Sequence, residues 1–337
     1  MREHALELLV CPACLQALTL AAASRENGHV MSGTLSCLQC AESYPIADGV
    51  PILLDAALAH AQNARTAERF GVEWDSFDFI DAERYASQFL DWIAPVTPEF
   101  FRGKVVLDAG CGKGRHCVAS ASFGAREIIG IDLASGSVRA AFRNTKHLPN
   151  VHIIQADLYR LPLRDQTFDY AYSVGVLHHT PDPRRSFAAL VKKVRAGGSV
   201  SAWVYGREGN GWIIHGLNPI RTHVTSKLPL PVVKMLAFGL AIILQAAVKG
   251  VYAPINRSTA LRPLSKYLFY NDYLYYISRF PFRENYSIVF DHLLPEIAHY
   301  IGRDEFAAWF AENDLREVVI TRKSNNSWRG VGVRGVL

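Results

Sequence analysis

Two sets of residues have types and spacing suited to chemistry. Cys11-Pro-Ala-Cys14 and Cys37-Leu-Gln-Cys40 form two CxxC pairs separated by 22 residues. A CxxC knuckle turns two thiolates onto one side of a metal ion, and a second knuckle completes a tetrahedron. One such pair can be redox-active; two at this spacing fit a structural four-thiolate Zn2+ site. Further along, VVLDAGCGKGRH, residues 105–116, reads as an apolar strand, a glycine turn and a helix start. Its glycines, Gly110, Gly112 and Gly114, follow a GxGxG spacing, whereas a dinucleotide fingerprint needs GxGxxG. Asp108 precedes the turn, Asp132 closes GIDL and Asp157 closes QADL. At these strand ends Asp132 can accept both hydroxyls of a ribose, and Asp157 is placed for an adenine amino group with Leu158 beside the ring.

The elements that must position these groups follow from pattern. KVVLDAG, REIIGIDL, VHIIQADL, FDYAYSVGVL and GSVSAWVYG are apolar runs of strand length, and segments such as DPRRSFAALVKKV between them have helical spacing. That alternation predicts a doubly wound α/β fold, with parallel strands and helices on both faces. Ligands bind such sheets at the carboxyl ends of the strands. GRDEFAAWFAENDL reads as a helix, and REVVITRKS and WRGVGVR as closing strands, the last antiparallel. SYPIADGVPILL reads as strand, turn at Asp48-Gly49 and strand, enough for a zinc ribbon too small to fold without its metal. Removing the metal is therefore expected to unfold residues 1–55 and leave the rest intact.

The three strand-end aspartates, followed by FDYAYSVGVLHHTPDP and KKVRAGG, resemble the class I S-adenosylmethionine-dependent methyltransferases. The first 55 or so residues, with their YPIxDGxPxLL ending, resemble the small zinc-ribbon proteins that activate tRNA and translation-factor methyltransferases. The resemblance implies S-adenosylmethionine as cofactor, held by Asp108, Ala109, Gly110, Gly112, Gly114, Asp132, Leu133, Asp157, Leu158 and Ser173, with Asp108 helping to hold the amino-acid tail. Methyl transfer from a sulfonium is an in-line displacement, so the enzyme aligns the reactants and takes up any proton released. His178 and His179, after the fourth strand, are the candidate bases, and adjacent residues of extended chain face opposite ways. In similar enzymes a segment placed like ERFGVEWDSF, residues 68–77, folds over the cofactor; Phe70 and Trp74 would do so here or else pin the linker to the core. The expected organisation is a zinc ribbon over 1–58, a linker with a helical segment over 59–100, and a Rossmann-like cofactor core over 101–205. A helical substrate-covering insertion over 206–290 and a closing helix with strands over 291–337 complete it.

Charge sets the expected partners. The chain of 337 residues carries a formal +5, but residues 1–60 hold two basic against six acidic residues and residues 207–290 ten basic against three acidic. An acidic ribbon disfavours contact with phosphates. The favoured acceptor is therefore a small-molecule or lipid-linked intermediate, with nucleic acid disfavoured. Tyr273, Tyr276, Arg279 and Arg283 would hold its head, and residues 228–255 would associate peripherally with a membrane. An RNA methyltransferase with an N-terminal zinc finger is the alternative, and a non-catalytic cofactor-binding scaffold a third. The N-terminus lacks the apolar core of a signal peptide, and the uncharged run Met235–Val248 falls short of the roughly 20 residues that span a bilayer. A cytoplasmic location, peripheral at the inner face of the membrane, is expected.

Overall fold

The computed structural model describes residues 1–55 and 61–335. The ribbon is a four-stranded antiparallel sheet in sequential order, β1 (Leu18–Glu26), β2 (His29–Cys37), β3 (Ser43–Ala47) and β4 (Val50–Pro51). The hairpin β1–β2 turns on Asn27-Gly28, both at positive φ (49° and 77°). An Asn-Gly pair is the commonest signal for that turn.

Two helices, α1 (Ala61–Ser76) and α2 (Ala82–Ile93), lead into the large sheet. Its parallel strands are β5 (Val105–Ala109), β6 (Glu127–Asp132), β7 (Val151–Gln155), β8 (Phe168–Val174) and β9 (Val194–Tyr205). Helices α3 (Arg115–Ser122), α4 (Ser135–Thr145) and α5 (Pro183–Lys193) are the crossovers. Every residue of β5 and of β7 is buried, as expected for strands covered on both faces. The insertion carries α6 (Asn218–His223), α7 (Leu230–Ala247), α8 (Ala253–Arg257), α9 (Asn271–Ile277) and α10 (Phe282–Leu293). Helix α11 (Arg303–Glu312) then precedes β10 (Leu315–Lys323) and β11 (Ser327–Arg334), and β11 pairs antiparallel with β9. The sheet order is β10-β11-β9-β8-β5-β6-β7. The chain leaves β5 towards β7 and returns to its other side at β8, so the crevice for a ligand opens at the end of β5.

Two expectations change. The ribbon is not a separable unit, because it is built onto the edge of β7. Ile52 bridges to Gln155 in parallel, the Leu53 amide donates to the Gln155 carbonyl at 2.8 Å, and Leu9 bridges to Leu163. Leu9, Leu35, Tyr44, Ile46 and Leu53 share one buried cluster with Ile129, Ile131, Ile154 and Leu163. The exposed edge of β7 and the small apolar core of the ribbon each lack a partner alone, and each supplies the other's. The second change concerns the uncharged run Met235–Val248, which is only part of a longer helix. It runs 28 residues from Leu230 to Arg257, long and apolar enough to cross a membrane by length and composition.

Helix α1 crosses α4 at a pair of glycines. A Cβ on Gly136 would lie 2.3 Å from the Gly71 carbonyl oxygen. Overpacking of this kind costs about 1–3 kcal/mol. Gly136→Val should lift α1 and reduce its amide-exchange protection while leaving β5 to β8 protected. Unchanged protection of α1 would show that the crossing does not hold it.

Candidate active site and metal centre

The two cysteine knuckles have the same local geometry. In the first, the Leu15 amide donates to the Cys11 carbonyl (2.8 Å); in the second, the Ala41 amide donates to the Cys37 carbonyl (3.0 Å). Leu15 and Ala41 take the left-handed conformation, with φ of 62° and 60°. Each turn curls its backbone around the thiols, and the four ligand atoms lie within 4.8 Å of one another. The Sγ separations of Cys11–Cys40 and Cys14–Cys37 are 3.6 and 3.4 Å. Tetrahedral Zn–S bonds of about 2.3 Å place sulfurs about 3.8 Å apart, so this donor set fits zinc. Cys11 and Cys37 are buried, and the Tyr44 hydroxyl lies 3.3 Å from the Cys11 sulfur.

At the end of β5 the chain turns through Gly110, Gly112 and Gly114, with φ of 91°, 53° and 83°. These values favour glycine, and space does so too: a Cβ on Gly110 would lie 2.3 Å from Val176 Cγ2. Asp132 ties the turn to the end of β6, where its Oδ2 accepts from the Gly112 amide (3.0 Å) and its Oδ1 from the Ala134 amide (2.9 Å). Asp157 accepts from the Tyr159 amide at 2.9 Å. Gly110, Gly112, Asp132, Leu133, Asp157 and Leu158 line one cavity of about 530 Å3. They bring backbone amides, two carboxylates and apolar side chains to the strand ends, a donor and acceptor set that fits a nucleoside bearing a charged tail.

The other residues expected to hold the cofactor stand behind that wall. Asp108 is fully buried, takes a contact from the Cys117 thiol at 3.3 Å, and is pushed up to about 7 by burial. Ser173 donates to the Ala109 carbonyl at 2.8 Å, and Gly114 opens α3. The two histidines part company. His178 lies outside the cavity lining, fully buried, its ring 3.9 Å from that of Tyr205. His179 lines the cavity and packs on Phe70 at 5.1 Å. Its Nδ1–H donates to the Ile297 carbonyl (2.8 Å), leaving Nε2 as the acceptor, but burial pushes the ring down to about 3. Burial also holds His178 well below the usual imidazole range, so both rings are neutral at pH 7.

Groups not singled out in the sequence complete the chamber. Glu73 on α1 and Asp291 on α10 both line it. Burial raises both carboxyls, Asp291 to about 6 and Glu73 well above the usual range, with the charge of Asp291 adding to the rise at Glu73. Glu73 accepts from the Ser287 hydroxyl at 3.0 Å and keeps an unpartnered buried oxygen. Asp291 had a legible signal, an acid inside the apolar stretch SIVFDHLL; Glu73 had none. Lys113 ties the glycine turn to the α1–α2 connection, its Nζ donating to the Phe77 and Phe79 carbonyls at 2.8 and 2.9 Å. The Arg115 guanidinium stands 5.1–5.6 Å from the rings of Trp74, Tyr85 and Trp92. Tyr273 and Tyr276 line the chamber, while Arg279 and Arg283 do not; Arg279 packs over Tyr275.

Two measurements test this site. Elemental analysis should find one zinc per chain, and chelation should lower the melting temperature of the whole chain in one transition, because ribbon and sheet share a core. Two separate transitions, the larger unmoved, would contradict the shared core. Asp132→Ala should weaken S-adenosylmethionine binding by about 1.5–3 kcal/mol, roughly ten- to a hundred-fold, in calorimetry. Unchanged affinity would remove Asp132 from the site.

Comparison with known proteins agrees with this geometry. Residues 107–202 match the family model described as a methyltransferase domain, and residues 4–49 the one described as Trm112p-like protein. The tRNA U34 carboxymethyltransferase of Marinobacter nauticus is 33% identical over 130 residues, 37% of this chain and 39% of its own. A 37.1 kDa protein from transposon TN4556 of Streptomyces fradiae is 37% identical over 98 residues, 28% of each chain. The chain thus spans less than half the length of these curated relatives. Among solved structures, the complex of the Haloferax volcanii Trm112 methyltransferase activator with a methyltransferase has a TM-score of 0.47 at 12% identity, covering 80% of this chain and 98% of that one. These findings correct the expected small-molecule or lipid-linked acceptor and the exclusion of nucleic acid, since several relatives are named for tRNA. The charge argument failed for a physical reason: the acidic ribbon packs on β7, and none of its described residues lines the cavity. The chain thus joins a segment that matches the Trm112p-like model, residues 4–49, to one that matches the methyltransferase-domain model, residues 107–202.

Proposed function

We propose that the protein methylates RNA, taking a nucleotide into the chamber beside the cofactor strand ends. The observation that carries the reading is the likeness to proteins named tRNA U34 carboxymethyltransferase, together with the Trm112p-like ribbon. The lining of the chamber supports it. Trp74, Trp92, Trp203, Tyr205, Tyr273 and Tyr300 all face the cavity. Sequence-tolerant capture of an unstacked base relies on such aromatic faces. The rings of Tyr205 and Tyr300 are already stacked, 5.8 Å apart and 21° from parallel.

When bound, S-adenosylmethionine supplies an electrophilic methyl group on a sulfonium. Asp132, Asp157 and the glycine-turn amides would hold it at the strand ends, and Phe70 and Trp74 on α1 exclude water from above. A Cβ on Gly112 would lie 3.2 Å from the Trp74 indole nitrogen, so the lid rests directly on the turn. Asp291 is the group suited to accept a proton from the nucleotide, because it lines the chamber and burial raises it to about 6. Burial, with the charge of Asp291 beside it, also raises Glu73 well above the usual carboxylate range, which favours its protonated form as a donor able to position the acceptor. His179 offers a free lone pair on Nε2 but is the weaker base, because burial disfavours its imidazolium and holds the ring at about 3.

Incubation with methyl-labelled cofactor and total tRNA should place label in a nucleoside after digestion. No label in any RNA fraction, from enzyme that binds the cofactor, would reject the reading. Asp291 works as a base only when ionised, so activity should rise with pH through about 6 and then level. Asp291→Asn should remove that rise and lower kcat by about 10²-fold or more. An unchanged profile would assign the proton to another group.

A further inference from the structure

The apolar surface of the molecule is concentrated in one place. Among the described residues 19 large hydrophobic side chains are exposed, and 14 of them fall between Trp212 and Phe269. Their crest is the helix from Leu230 to Arg257. One stripe of it, Val233, Ala237, Ala241 and Val248, is completely buried, and α7 packs against α10. The opposite side presents Met235, Ile242 and Ile243 to solvent, 69%, 51% and 68% exposed. Monomeric soluble proteins rarely leave an apolar patch of this extent uncovered.

Charge specifies what covers it. Residues 209–271 contain seven lysines and arginines and no acidic residue. Lys227, Lys249, Arg257, Arg262 and Lys266 are all exposed, and among the described residues none of them is ion-paired. Apolar side chains flanked by unpaired cations, with Trp212, Tyr267 and Phe269 at their margin, match a surface that is anionic outside and hydrocarbon within. A second copy of the chain fits poorly, because apposing two such faces brings cations together with no acid to offset them. Single-stranded RNA would answer the cations but leave Met235, Ile242 and Ile243 in water.

We propose that this face docks on an anionic lipid bilayer, with the Leu230–Arg257 helix lying in the interface and the basic residues on the headgroups. The buried stripe holds the helix to the protein, so it lies along the membrane and does not cross it. Trp212 and Phe269 belong both to the exposed face and to the cavity lining, their rings 5.3 Å apart. The mouth of the chamber therefore opens at the docked surface. This inference rests on the surface and not on the identity of the methyl acceptor.

The test is co-flotation of the full chain with vesicles of equal parts phosphatidylcholine and phosphatidylglycerol, and with phosphatidylcholine alone. The chain should float with the anionic vesicles and bind the neutral ones at least ten-fold more weakly. The double variant Met235→Glu, Ile243→Glu should lose flotation while keeping cofactor affinity and melting temperature. Substituting Arg257, Arg262 and Lys266 with Gln should weaken binding to anionic vesicles only. A wild-type chain that stays in the soluble fraction, or a double variant that floats equally well, overturns the proposal. A concentration-dependent dimer, or RNA binding, abolished by the two glutamates in a chain that ignores vesicles also overturns it, assigning the face to a second copy or to RNA.

Discussion

The Asp132 carboxylate is the contact on which the site depends. Its two oxygens are bound by backbone amides from two places, Gly112 in the turn after β5 and Ala134 before α4. Even a half-buried carboxylate is costly unless its oxygens are hydrogen-bonded, and here the backbone bonds both of them. The result is a glycine turn locked against the neighbouring strand end. Lys113 extends the lock outward by gripping the Phe77 and Phe79 carbonyls, which sets α1 over the turn. Cofactor crevice, lid and chamber wall are thus one hydrogen-bonded assembly.

The zinc ribbon contributes at a distance. None of its described residues lines the cavity, but it closes the edge of β7, the outer strand beside the one that carries Asp132. Arg160, just beyond Asp157, reaches back to the Pro12 carbonyl and to the Asp55 carboxylate, at 3.3 and 2.7 Å. Zinc held by Cys11 and Cys14 would therefore also steady the loop from which the third strand-end carboxylate projects.

The chamber takes its chemistry from burial. Desolvation raises Asp291 and Glu73 and lowers His179 and His292, so burial favours the neutral forms of these four groups lining the cavity. Carboxyl groups gain basicity under that pressure and imidazoles lose it. This reverses the ordinary ranking of the two residue types as bases near neutral pH.

The local elements were legible in sequence because their signals are local. Alternating apolar runs and helical spacing predicted every parallel strand, and two CxxC knuckles predicted a four-thiolate cluster. GxGxG between a strand and a helix predicted the turn, since positive φ and lack of room both demand glycine there. Three properties depended on long-range packing and were not legible. The ribbon looked separable because its bond to β7 joins residues about a hundred positions apart, Ile52 to Gln155. The acid facing the chamber could not be chosen because Glu73 and Asp291 meet only when α1 and α10 fold over the same crevice, while His178, at the expected strand end, turns behind Tyr205. Which side of the apolar helix stays in water was decided by α10, which covers Val233 and Ala237 but leaves Met235 and Ile243 bare. Periodicity records that a residue is apolar; only the tertiary neighbours decide whether it is covered.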